Sequence, residues 1–113
     1  MTVKPEFNDF LQAVDEYTAQ LPLVIRMSFR QALHSEYEGD YEKVEEICRG
    51  MLASHPENTE VLALLGRAQL SQQKYKEAEE TLREVLEKEP ARNFERIEHG
   101  IAFHAMGKYH EAL

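Results

Sequence analysis

One phrase recurs along this chain at a fixed step. It reads GDYEKVEEICRGMLASHP from Gly39 to Pro56, QKYKEAEETLREVLEKEP from Gln73 to Pro90, and GKYHEAL from Gly107 to Leu113. Gly39, Gln73 and Gly107 lie 34 residues apart, as do Tyr41, Tyr75 and Tyr109, and Val44, Ala78 and Ala112. Pro56 and Pro90 keep the same step. A constant period of this length marks a solenoid, in which each unit is too small to bury its own apolar face and must lean on the next.

The pattern within the period is helical. Phe7, Phe10, Leu11, Val14, Tyr17 and Leu21 recur at steps of three and four, which predicts a first helix over 7–20 with one apolar stripe. Pro22 breaks it. A second helix is expected from Leu23 to Glu38, with Gly39 as its stop. Asp40 suits the N-cap of a third helix, Tyr41 to Ser54, and Pro56 closes the unit. Asn58 or Thr59 then caps a helix reaching Gln72, Gln73 and Lys74 turn, and another helix runs from Tyr75 to Lys88 before Pro90. On its outer face Glu79 with Arg83, and Glu84 with Lys88, stand four apart in the favourable order. A last long helix is expected from Phe94 to Met106, a turn at Gly107, and a further helix only begun at Leu113. No stretch alternates apolar and polar strand formers, so the chain reads as all-α.

These residues resemble the tetratricopeptide repeat. The best copy is 59–92, where Leu62, Leu65 and Gly66 fill the slots of helix A, Tyr75 follows the turn, Ala78 is the small residue of helix B, Leu82, Val85 and Leu86 are its apolar slots, and Pro90 closes. It departs at Gln69, where the family often has an aromatic, and at Gln73, where it often has glycine. In the copy 25–58, Gly39, Asp40, Tyr41, Val44, Cys48, Met51, Leu52 and Pro56 fit, but the helix A slots hold Ser28, Gln31 and Ser35, with Ala32 alone as expected. In the third, from Asn93, Gly100, Phe103, Gly107, Tyr109 and Ala112 fit, while Arg96 and His99 do not. The resemblance implies a right-handed superhelix of antiparallel helix pairs with an extra N-terminal helix: 1–24 as helix and turn, 25–58 and 59–92 as repeats, and 93–113 as an incomplete repeat. It implies close helix approach at Gly66 and Gly100, met by Ala78 and Ala112 of the partner helices, with the tyrosines filling the gaps between pairs.

Composition narrows the function. The apolar share of 42% is that of a globular chain, and no apolar run is long enough to span a membrane. The start, MTVKPEFNDF, lacks a basic segment followed by an apolar stretch, so no secretory signal is expected. The formal charge is −8, and no basic patch stands out, which argues against nucleic acid and anionic membranes as partners. Cys48 has no possible disulfide partner within the chain and fits a reducing compartment, so a cytoplasmic location is expected. It falls in an apolar helix slot and is expected as a buried, inert thiol. No phosphate-binding loop, cysteine pair or zinc-protease motif is present, and His34, His55, His99, His104 and His110 are scattered. No catalytic residue, metal or cofactor is expected.

In the family, helix A of each repeat lines a concave groove that holds a peptide. Carried onto this sequence, the groove would be lined by Phe29, Leu33 and Tyr37, then Ala63, Arg67 and Leu70, then Phe94, Ile97 and Ile101. Repeats that grip the acidic tails of major chaperones use Lys, Asn and Arg at sites that here hold Phe29, Leu33, Leu64, Phe94 and Glu98, so such tails are not expected as ligands. The apolar groove has three candidate occupants: an apolar segment of a partner, the chain's own first helix, or a second copy of the chain. The expected function is a non-catalytic protein-interaction module within a larger scaffold or adaptor. The alternatives are a self-association domain and a small dedicated chaperone resembling those of type III secretion translocators, which are acidic, begin with an extra helix and hold apolar partner segments. Because Phe103 and Met106 would lack cover at the end of the stack, a two-fold dimer through this end or the groove is also expected.

Overall fold

Two backbone turns, 34 residues apart, close with the same pair of hydrogen bonds. Gly39 N–H donates to the Glu36 carbonyl at 3.0 Å and Asp40 N–H to that of Ser35 at 2.9 Å. Gln73 N–H donates to Leu70 at 3.0 Å and Lys74 N–H to Gln69 at 2.9 Å. This is the Schellman closure, and it requires a left-handed residue just past the helix end. Gly39 takes φ 82° without penalty, whereas Gln73 takes φ 63° with a side chain attached. A side chain in that region costs roughly 1–2 kcal/mol. Gln73→Gly is therefore expected to raise folding stability by about 0.5–1 kcal/mol after the glycine's greater unfolded freedom is subtracted. Chemical denaturation measures it, and an unchanged or lower midpoint would refute the strain at this turn.

The computed structural model describes residues 23–112 together with Gln12. Its helices are α1 (Leu23–Tyr37), α2 (Tyr41–Ser54), α3 (Thr59–Ser71), α4 (Tyr75–Lys88) and α5 (Asn93–Ala112). The helix expected over 7–20 lies outside the described residues except for Gln12, and so do the first-helix side chains considered as groove filler. The connections between units also repeat: His55 N–H returns to Met51 at 2.9 Å, and Glu89 N–H to Val85 at 2.8 Å. Asp40 accepts from Lys43 N–H at 3.3 Å and caps α2. Asn58, not Thr59, caps α3 through Val61 N–H at 3.1 Å.

The hairpins stack as an α-solenoid. Ile25, Phe29, Ala32 and Leu33 of α1 bury against Val44, Cys48 and Met51 of α2 and Val61, Leu64, Leu65 and Ala68 of α3. Tyr41 packs at the edge of this cluster, half-buried, and Tyr75 is half-buried at the matching place. The other face of α3 carries Leu62 and Ala63 against Val85. Ala78 and Leu82 of α4 meet Ala102 of α5, with Leu70 alongside. Gly66 lies in this second seam, and a Cβ there would stand 2.7 Å from Leu82 Cδ2. Cys48 is fully buried, and its burial pushes the thiol up to about 12, the state of an unreactive core residue.

Polar bonds tie successive units as well. Glu45 is only 7% exposed and accepts from Lys74 Nζ at 2.8 Å, Arg49 Nη2 at 2.6 Å and Gln72 Nε2 at 3.0 Å, linking α2 to the turn between α3 and α4. Burial alone would raise its pKa, but these donors outweigh burial and hold the carboxyl at about 2. Glu79 and Arg83 meet at 3.5 Å as expected, but Lys88 bonds Glu57 of the preceding unit.

Three expectations are corrected. Phe29 and Leu33 are 5% and 2% exposed and belong to the core rather than to a groove. The stripe Ile25–Phe29–Leu33 turns inward because α1 buries against both α2 and α3. The helix from Asn93 does not turn at Gly107 but continues to Ala112. A turn gains stability only when a returning helix packs on the one before it. The continued helix keeps its internal hydrogen bonds without such packing. Gly100 is not a close-approach site either, since a Cβ there would meet nothing within 4 Å. The side chains of Tyr109 and Ala112 lie outside what is described.

Candidate partner-binding face

α5 is turned against the usual pattern. It sends Glu95, Glu98 and Ala102 toward the stack, at 5%, 8% and 0% exposure. Its large apolar side chains point away: Phe94, Ile97 and Ile101, at steps of three and four, are 60%, 64% and 53% exposed. These three form one stripe on a helix A face. Phe103, 65% exposed, stands on a different side of the helix. The nine residues expected in the groove therefore divide. Phe94, Ile97, Ile101 and Tyr37 are exposed, Arg67 and Leu70 are half-buried, and Phe29, Leu33 and Ala63 are covered.

Beside the apolar stripe runs a set of charges that the apolar pattern does not reveal. Arg67 of α3 donates from Nε and Nη2 to the two carboxylate oxygens of Glu36 on α1, at 2.9 and 3.2 Å. This planar fork fixes the guanidinium between helices of successive units. Arg92, just before α5, bridges Glu60 of α3 at 2.6 Å and Glu95 at 2.8 Å, and also meets Glu89 at 2.8 Å. Buried Glu95 would ionise less readily, but the bond from Arg92 brings its pKa below the ordinary carboxylate value.

Among the described residues Glu98 has no such partner. Its Oε1 is buried without a hydrogen bond. Burial pushes its pKa up to about 7; Arg67 opposes that shift, and Glu95 and Glu36 add to it. Glu36, Arg67 and Glu98 are spaced by 31 residues, one period less about one helical turn. The bond from Arg67 to Glu36 spans the first of these steps, and Glu57 to Lys88 repeats the spacing elsewhere. A search for opposite charges at that spacing would have found the ladder.

Among the described residues no helix is long and apolar enough to cross a membrane. Helical hairpins of constant period, stacked so that every first helix adds to one face, define a helical-repeat solenoid. The tetratricopeptide-repeat family model matches residues 37–97, and the chain belongs to that family. Such repeats are typically non-catalytic and bind other proteins. Among solved structures, that of MamA AMB-1 is similar, with a TM-score of 0.69 and 18% identity. The match covers 91% of this chain and 56% of MamA, so the chain spans little more than half that protein's length. At this identity the likeness concerns the fold alone. No curated protein sequence matches the chain.

Proposed function

We propose that the chain is a non-catalytic interaction module that holds an apolar segment of another protein along Phe94, Ile97 and Ile101. One observation carries this reading: three large apolar side chains, each more than half exposed, share one face of α5 while that helix turns carboxylates inward. A helix stable only through its own unit would have the opposite arrangement. An apolar partner covers this stripe with hydrophobic gain, and the edge formed by Tyr37, Glu36 and Arg67 orients it.

The probe is a phage-displayed library of random dodecapeptides selected on the chain. Selected peptides are expected to lose about tenfold or more in affinity for Ile97→Ser/Ile101→Ser. The melting temperature of that double variant is expected to stay close to the parent's, because both side chains are exposed. Peptides that bind the double variant undiminished would overturn the site, and a failed selection would overturn the function.

A further inference from the structure

Glu98 is the one rung of the 31-residue ladder whose buried oxygen has no donor. Arg67, the cation that acts on it from α3, already commits two of its N–H groups to Glu36. The carboxylates of Glu36, Glu60, Glu89, Glu95 and Glu98 face the two guanidiniums of Arg67 and Arg92. Among the groups described, local charge is therefore short of cations at a place where water is excluded from Glu98 Oε1. A buried carboxylate without a donor is costly, and a charged donor is what its chemistry calls for. Ile97 and Ile101 flank Glu98 in sequence and carry the exposed apolar stripe. Glu98 stands four residues after Phe94 and three before Ile101, so its carboxyl borders a segment lying on that stripe.

We infer that the segment bound on α5 carries a basic side chain, lysine or arginine, set among its apolar residues, and that this cation seats against Glu98 with Glu95 and Glu36 nearby. The inference rests on the binding face proposed above and adds the charge class of its ligand. The occupant is a basic, apolar segment of another protein rather than a second copy. Two chains of formal charge −8 repel each other, whereas a basic segment is drawn to this one. Arrival of the cation completes the ionisation of Glu98, so binding releases a proton where that carboxyl is still protonated. Affinity must then rise as the pH passes upward through about 7, where Glu98 loses its proton in the free chain. Arg67, Glu95 and Glu36 are the charged groups that act on it from α3, α5 and α1.

The same dodecapeptide library tests this. Selected sequences are expected to be enriched in Lys or Arg between apolar residues. Changing that residue to Gln in the best peptide should weaken binding about tenfold or more, as for other bonds between charged groups. Glu98→Gln in the chain should weaken the parent peptide similarly, leave the Gln peptide unaffected, and flatten the rise of affinity with pH. Peptides that need Ile97 and Ile101 but show no basic preference, or keep it against Glu98→Gln, would overturn the inference and leave the binding face standing. A chain that selects no peptide and sediments as a dimer would overturn both, with a second copy as the occupant.

Discussion

Phe29→Ala is expected to lower folding stability by about 3–5 kcal/mol, the usual cost of truncating a buried aromatic. Phe29 is 5% exposed and belongs to the cluster that joins α1, α2 and α3. Its loss would leave a cavity bounded by Leu33 of the same helix and residues of two others, which cannot all collapse into it. The size of the effect separates two roles for the α1 stripe. A groove residue would lose little stability on truncation and would lose partner binding instead. Denaturant unfolding of the variant beside the parent makes the comparison, and a difference below about 1 kcal/mol would return Phe29 to the binding face.

Gly66→Leu is expected to cost at least about 2 kcal/mol, toward the upper part of the range for overpacked cores. A first carbon at Gly66 would already stand 2.7 Å from Leu82 Cδ2 and 2.8 Å from Leu82 Cγ, both inside van der Waals contact. Leu82 has no exposed surface and is backed by Ala78 and Ala102, so it has no free space to retreat into. The rest of the leucine would have to part α3 from α4. Thermal unfolding should show the loss. Leu82→Ala added to Gly66→Leu should recover part of it, because the two side chains compete for one space. A Gly66→Leu chain as stable as the parent would refute the seam.

Most of the helix plan could be read from the sequence. The 34-residue step, the caps at Asp40 and Asn58, and the stops at Gly39 and Gln73 are local, and they formed where local chemistry put them. Leu62, Leu65, Gly66, Ala78 and Leu82, expected at repeat slots, are buried. What local pattern could not give is the rotation of a helix about its own axis. In α1 the family's slots and the chain's own apolar stripe disagree, and the stripe prevailed because burying Phe29 and Leu33 gains more than burying Ser28 and Gln31. In α5 the reverse holds: Glu95 and Glu98 turn inward, bonded or held near arginines, and the isoleucines remain outside. At Gly107 the helix runs on, because a lone glycine weakens a helix without stopping it.

The candidate face was half legible. Phe94, Ile97 and Ile101 were expected and are exposed. The ladder of Glu36, Arg67 and Glu98 was not foreseen, because its members are charged and join residues almost one period apart.

Amide chemical-shift mapping tests most directly the proposal that partners bind along α5 and beside Glu36, Tyr37 and Arg67. A selected dodecapeptide titrated into isotope-labelled chain is predicted to perturb residues 94–101, together with Glu36, Tyr37 and Arg67, and to leave the outer face of α4 around Glu80, Arg83 and Glu87 unmoved. Perturbations centred on α4, or on α2 around Lys43 and Glu46, with 94–101 unchanged, would contradict it.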